Sequence, residues 1–377
     1  MNSNLLKLAD FKIHKNLLII LGKSLFSHSA VSLKNKCGSK GPPWRVMFFG
    51  NDDFSVKSLQ MLTSKMRTQT IISKVDVVTT SMGNGINVRS FAKEEKLDIY
   101  DWPINTTLLD GKYDIGVVVS FGRLIPEKII KCFPLGMINV HASLLPRWRG
   151  AAPIIYTILN GDLTSGVTIM KIHPRRFDIG EIVKQHSCSV GKDETADELK
   201  KKLSNMGGRL LIDSFKELTR NLRYAVPQSE NEITYAPKVD KNLSIINWDE
   251  TDSNSVYNKY RALCGLWPLI TTWHGTSVKL LKVCNYQTTN IDTQLKPGYL
   301  IYDKQSQKLF VKCGGKGGYV SIEKLKIPGH RTMSGKDFFN GFVYMKPISE
   351  RKFGSTQLLV PWPKAANEGV TRHDEQT

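Results

Sequence analysis

From residue 43 onward, apolar runs alternate with helical stripes. WRVMFFG (44–50) is a β-rich apolar run ending in glycine, after which Phe54, Leu59 and Leu62 recur at roughly helical spacing. IISKVDVVT (71–79) predicts a second strand, VRSFAKEEKL (88–97) a helix, and DIGVVVSFG (114–122) and GMINVH (136–141) two further strands. Near-continuous apolar strands separated by helices imply an α/β domain with a mostly parallel sheet covered on both faces. Its functional site is expected at the carboxyl ends of the strands. PIIYTILNG (153–161) reads as a helix opened by proline and closed by glycine. GVTIMKIH (166–173) and EIVKQHSCSV (181–190) read as strands flanking the turn RRFDIG. A long amphipathic helix with Leu199, Leu203, Met206, Leu210 and Leu218 on one stripe closes the domain, set at 43–220.

Beyond it the pattern changes. Residues 221–242 are polar and contain Pro227 and Pro237, as a linker would. From 243 to 349, six short β-runs (LSIINW, PLITTWH, SVKLLKVCNY, GYLIYD, KLFVKCG and GYVSIEKLKI) with glycine-rich turns predict a small OB-like β-barrel. Residues 350–377 form a polar tail.

Charge sharpens this division. The chain has a formal net charge of +19. Residues 1–42 carry seven lysines against one acid (+6), and residues 233–377 carry 20 basic against 12 acidic groups (+8). A basic barrel points to nucleic acid, with a solvated lysine surface as the plainer alternative. The first segment, with Lys7, Lys12, Lys15 and Lys23 among apolar residues and serines, fits a mitochondrial presequence, although it lacks arginine; a secretory signal is the rival. Its apolar run LLIILG (17–22) is far short of the ~20 residues that cross a bilayer, and no membrane association is expected. Six cysteines lie far apart with no CxxC or zinc spacing, so the thiols are expected reduced and no metal site is expected.

Candidate chemistry concentrates in NVHASLLPRWRGAAPI (139–154) and at Asp178. Asn139 and His141 alternate along one strand and leave it on the same side. A buried, hydrogen-bonded histidine is the plain alternative for His141, and a turn residue for Asp178; Arg147 and Arg149 are either surface charges or anion contacts. Amide, imidazole and carboxylate together can polarise a carbonyl and manage a proton without a metal or a covalent nucleophile. GNDDFS (50–55) is neither GxGxxG nor a P-loop, and Asp52 and Asp53 would repel a phosphate, so they are read as capping and packing residues. GGKGG (314–318) is read as a hairpin turn.

FFGNDDFSVKSL, VVVSFGRLIP, GMINVHASLLPRWRGAAPI, GVTIMKI and FDIG, with the later TYAPKV (234–239) and HRTMSGKDFFNGFV (330–343), resemble the folate-dependent formyltransferase family, in its branch acting on tRNA in mitochondria. The resemblance runs from about 44 to 345. It implies a Rossmann-like catalytic domain, 10-formyltetrahydrofolate as formyl donor, and the amino group of methionyl-tRNA, the initiator, as acceptor. It further implies Asn139, His141 and Asp178 as the catalytic trio, Ser143, Leu144, Leu145 and Pro146 with Phe121 and Gly122 at the folate, and no metal. A monomer in the mitochondrial matrix is expected. A formyltransferase acting on a small amine, a formyltetrahydrofolate hydrolase and an inactive tRNA-binding protein are the alternatives. One departure from many bacterial relatives is TTSMGNGINV (79–88), where those carry a long basic loop.

Overall fold

A computed structural model describes residues 41–80, 87–286 and 295–354. The expected presequence, the centre of the short 79–88 loop (81–86) and residues 355–377 of the expected tail lie outside the described residues.

The first domain runs β1 (Trp44–Gly50), α1 (Asp53–Arg67), β2 (Ile72–Thr79), α2 (Val88–Glu94), β3 (Ile99–Asp101), β4 (Ile115–Val119), α3 (Glu127–Ile130), β5 (Met137–His141), α4 (Pro153–Leu159), β6 (Thr164–Lys171), β7 (Ile182–Ser189), α5 (Ala196–Lys216) and α6 (Leu218–Arg223). The strands form one sheet in the order β3-β2-β1-β4-β5-β6-β7. The five from β3 to β5 are parallel, while β6 runs antiparallel to β5 and β7 antiparallel to β6.

The two-residue period of β1 explains why both faces are covered. Val46 and Phe48 enter a core with Leu59 and Leu62 of α1 and Leu203 and Leu211 of α5, whereas Met47 and Phe49 enter a second core with Tyr113, Ile129 and Phe133 on the other face. The strand ends are tied together. Asn51, just after β1, donates from Nδ2 to the Phe121 carbonyl (2.6 Å) beyond β4 and accepts through Oδ1 from the Thr80 amide (2.9 Å) beyond β2. Asp52 caps α1, accepting from the Ser55 amide (3.2 Å), and also accepts from the Ser120 hydroxyl (2.6 Å), in keeping with the capping role expected of it.

The second domain contains α7 (Ser253–Leu263), β8 (Leu269–Trp273), β9 (Thr276–Tyr286), β10 (Leu300–Asp303), β11 (Lys308–Lys312), β12 (Tyr319–Lys326), β13 (Met333–Ser334) and α8 (Gly335–Phe338), which continues in a wider helical turn over Phe339–Val343. Its antiparallel order is β10-β11-β12-β9-β8, with β13 on β12. The edge strands β8 and β10 are joined by residues 351–354. Thr272 pairs with Gly354 and Tyr299 with Lys352, and the Leu300 amide donates to the Arg351 carbonyl (2.8 Å). This closes the barrel and moves its end past 349; Phe353 is 2% exposed and stacks on Trp248 and Phe338, so the polar tail does not begin at 350.

Two further expectations change. LSIINW is not a strand: Lys241–Ser244 is a short helical turn, and Ile245 makes one bridge to Ile270. Residues 221–242 are not a free-standing linker. Val226 pairs with Ile182, Tyr235 with Arg149, and Ala236 is fully buried, because this stretch satisfies backbone groups that the loop after β5 leaves open at Arg149 and Ala152. The domains form one compact unit. In it α7 fastens the barrel to the first domain: Tyr257 donates to Asp193 (2.9 Å), and buried Arg261 donates to the Glu194 carbonyl (2.9 Å). GGKGG is the turn between β11 and β12, as expected.

Candidate active site

β5 brings Asn139 and His141 to the carboxyl edge of the sheet. Asn139 lies between Val118 of β4 and Met170 of β6, and His141 lies opposite Thr168. His141 is 6% exposed. Its Nε2 is 2.9 Å from the Trp148 carbonyl oxygen, and since a carbonyl only accepts, Nε2 carries the hydrogen. Nδ1 faces Asp178 Oδ1 at 3.7 Å, too long for a direct hydrogen bond, so a proton-bearing group beside both atoms can bond to each. Asn139 is half-buried, and among the described residues its carboxamide makes no hydrogen bond within the chain.

Asp178 reaches this place through a demanding turn. Its backbone has φ +57°, a left-handed conformation in which aspartate is among the better-tolerated residues. Its Oδ2 accepts from the Gly150 amide (2.9 Å). Gly150 itself has φ +125°, and a Cβ there would lie 2.6 Å from the Ala236 carbonyl oxygen. At Gly180 a Cβ would lie 1.8 Å from the Lys171 carbonyl oxygen. Glycine at both positions is therefore a steric requirement of the loop that holds the carboxylate.

The SLLP segment is anchored rather than loose. The fully buried Thr168 hydroxyl donates to the Ser143 carbonyl (2.7 Å) and accepts from the Leu145 amide (3.1 Å). Gln185 Nε2 donates to the Leu145 carbonyl (2.9 Å), and Ser143 Oγ donates to the Arg147 carbonyl (2.6 Å). Ser143 and Leu145 are buried, Leu144 and Pro146 half-buried. Because Val119 is in register with Val140, the turn Ser120–Phe121–Gly122 leaves β4 beside the point where 141–146 leaves β5. Phe121 turns its ring inward against Phe49 (5.6 Å between centroids) and Trp102 (5.3 Å) and is buried; Gly122 is exposed.

Neither arginine of RWRG is an open anion contact. Arg147 makes a two-pronged pair with Asp162 (2.9 and 2.5 Å), which also accepts from Trp148 Nε1 (2.7 Å). Arg149 donates from Nε and Nη2 to Gln228 Oε1 (2.9 and 2.6 Å). Gln228, Thr168 and Gln185 escaped the sequence reading. Thr168 did leave a signal, a hydroxyl in the middle of an apolar strand; Gln228 in PQSE left none. Concavities of about 330 Å³ between α1 and α5 and about 290 Å³ beside β8 and β9 are lined by none of the trio. Among the described residues no cluster of three or more His, Cys, Asp or Glu could hold a metal ion, and no helix is long and apolar enough to cross a membrane.

A doubly covered, mostly parallel sheet with an amide unpaired among the described residues, an imidazole and a carboxylate at its carboxyl edge defines a group transferase of the acyl-transfer type. Comparison with known proteins agrees. The formyl transferase family model matches residues 54–215, and that of the formyl transferase C-terminal domain matches 238–343. The chain is 40% identical over 313 residues to the mitochondrial methionyl-tRNA formyltransferase of Homo sapiens, covering 80% of this chain and 79% of that one. It is 33% identical over 307 residues to the methionyl-tRNA formyltransferase of Methylococcus capsulatus, covering 78% and 96%. The chain belongs to the formyl transferase family, in its methionyl-tRNA formyltransferase branch. Among solved structures, WlaRD, a sugar 3N-formyl transferase described with dTDP and 5-N-formyl-THF, superposes with a TM-score of 0.58 at 20% identity, over 77% of this chain and all of that one. The N-formyltransferase of Helicobacter canadensis in complex with folinic acid and dTDP-3-aminofucose gives 0.58 at 18% identity, over 74% and 98%. These two likenesses concern the fold.

Proposed function

We propose that this chain transfers a formyl group from 10-formyltetrahydrofolate to the free amino group of methionyl-tRNA, forming formylmethionyl-tRNA for mitochondrial translation. The observation that carries the reading is the unpaired Asn139 carboxamide beside His141 and Asp178, in a chain whose likeness to mitochondrial methionyl-tRNA formyltransferases extends over both domains.

The folate supplies an activated formyl carbon and a leaving nitrogen. The residues fit such a group: two adjacent strand-end turns, 120–122 and 141–146, flank an amide that has no hydrogen-bond partner among the described residues. Ser143 to Pro146 with Gly122 and the Phe121 backbone are read as its holders. Asn139 Nδ2 is placed to donate to the formyl oxygen as the methionyl amine attacks and negative charge collects there. One such donor commonly contributes about 3 kcal/mol to the barrier. His141 is not read as a second donor to that oxygen, since its Nε2 hydrogen is engaged by the Trp148 carbonyl. Its Nδ1 and the Asp178 carboxylate form the proton-handling pair, taking the proton that leaves the amine and returning it to the leaving nitrogen. All these residues come from one chain, so a monomer suffices. The basic barrel is read as the tRNA platform, with the initiator tRNA as substrate and the mitochondrial matrix as compartment.

The test is formylation of charged methionyl-tRNA by purified protein with 10-formyltetrahydrofolate, with uncharged tRNA and free methionine in parallel. Formyl transfer confined to the charged tRNA is expected. A folded protein that leaves methionyl-tRNA unformylated overturns the reading. Asp178→Asn, which tolerates the same left-handed backbone, is expected to keep the fold and lose turnover by orders of magnitude.

A further inference from the structure

The hairpin between β6 and β7 carries more than Asp178. Immediately before it stand Arg175, Arg176 and Phe177, all exposed, with the Phe177 ring 57% exposed although it is a large apolar side chain. Among the described residues neither arginine makes an ion pair or a hydrogen bond. Arg175 has φ +80°, which bends the tip sharply for a residue other than glycine. Three residues of chain span at most ~10 Å, so all three side chains spring from within that distance of the Asp178 backbone. The Arg175 charge also acts on Glu127 at the start of α3, helping Lys131 hold that carboxyl below its ordinary range. The β4–α3 connection carries a further exposed arginine, Arg123, which likewise lacks an ion pair among the described residues.

The tip is also held firmly at its base. Gln228 donates to the carbonyls of Asp178 (2.9 Å) and Gly180 (2.8 Å), and the Lys171 amide donates to the Glu181 carbonyl (2.9 Å) across the hairpin. Two unpaired guanidiniums and an exposed aromatic ring, presented from a pinned turn beside a carboxylate of the site, match a single-stranded nucleic acid end. Cations track the phosphates, and the ring offers a face on which an unpaired base stacks. A protein partner would not need both features this close to the trio, and the substrate amine in the proposed reaction hangs from such an end.

We propose that Arg175, Arg176 and Phe177 form a docking rim for the 3′ end of the aminoacylated tRNA, the arginines facing its terminal phosphates and Phe177 stacking on an unpaired base. The rim rests on the function proposed above and names how that function's substrate reaches the trio. It places part of the acceptor-end contact on the catalytic domain, close to the chemistry.

The experiment uses the full chain, with steady-state formylation of methionyl-tRNA and direct binding of uncharged tRNA measured in parallel. Phe177→Ala is expected to raise KM for methionyl-tRNA about tenfold with kcat within twofold, and Phe177→Trp to restore it, in line with the usual worth of base stacking. Arg175→Gln with Arg176→Gln is expected to weaken tRNA binding and to reduce the slope of log affinity against log salt by about 1.4, the value for two phosphates of a single strand. KM for the folate should not change in any variant. Unchanged KM, binding and salt slope in folded variants overturn the rim while leaving the formylation reading intact. If the wild-type chain binds tRNA but does not formylate it, the function falls, and the rim is then judged by binding alone: a wild-type salt slope in the double variant overturns it, a reduced one upholds it.

Discussion

Gln228 holds the backbone of Asp178. Its Nε2 donates to the Asp178 carbonyl at 2.9 Å and to the Gly180 carbonyl at 2.8 Å, while its Oε1 receives both the Nε and Nη2 hydrogens of Arg149. Fifty residues separate the two in the chain, and the segment supplying Gln228 is the connection between domains. The carboxylate of the trio is therefore oriented by the stretch that leads to the barrel.

Gln228→Glu keeps the size of the side chain and its pairing with Arg149 but replaces a two-hydrogen donor with an acceptor facing two carbonyls. We expect a fall in kcat of about tenfold or more with little change in KM for either substrate, and a stability loss of about 1–3 kcal/mol. Steady-state kinetics with a denaturation curve would check this. Equal loss in both KM values at unchanged kcat would remove Gln228 from any role through Asp178.

Asn139→Ala deletes a carboxamide that bonds to nothing within the described chain. Turnover should fall by about 10²–10³, and the unfolding midpoint should move little, because no intrachain hydrogen bond is lost. A variant that unfolds much more easily but turns over normally when folded would mark Asn139 as structural.

How much of this was legible beforehand depends on whether a feature is local. Asn139 and His141 could be paired from the two-residue period of a strand, and helices α1 and α5 from their stripes. Asp178 could not be assigned by spacing, because what brings it to His141 is a left-handed turn closed by Gly180 against Lys171. Gln228 is invisible to any periodicity, lying in an irregular segment whose partners are distant backbone carbonyls. Helix α7 escapes a reading by apolar spacing because SNSVYNKYRAL shows few aliphatic positions; it buries Val256, Ala262 and Leu263, and the rest of its register is polar apart from Tyr257 and Tyr260. The Asp252 cap accepting from the Ser255 amide was its readable start. LSIINW had the composition of a strand but no full ladder to join.

Phe353→Ala should cost the barrel about 3–5 kcal/mol, the usual penalty for emptying a buried aromatic site. The paired comparison is truncation: a chain ending at 354 should keep the unfolding transition of the full chain, whereas one ending at 349 should lose it. Equal transitions for the two would show that the closing segment is dispensable.

Lys259 provides a pH signature. Its ammonium donates to the Ile245 carbonyl (2.8 Å) in a half-buried position, and desolvation brings its pKa down to about 8 from 10.5. Below about pH 8 the native state bears the full cost of a desolvated charge. Between pH 8 and 10.5 the native state gives up the proton while the unfolded chain retains it, so stability rises with pH by up to about 1.4 kcal/mol per unit. Lys259→Met removes that contribution. The difference in unfolding free energy between wild type and variant should grow in favour of wild type across this window, and parallel curves would refute the assignment.

The closure of the barrel by residues 351–354 orders events in the life of the chain. Every strand of that domain is made before the segment that joins its two edges, so for a period of synthesis or transport β8 and β10 stand open with unpaired backbone. The catalytic sheet, complete with β7, can form well before this. A chain interrupted late would thus carry an assembled catalytic sheet beside an unsealed barrel, and residues 351–354 act as the seal that distinguishes a finished enzyme from an unfinished one.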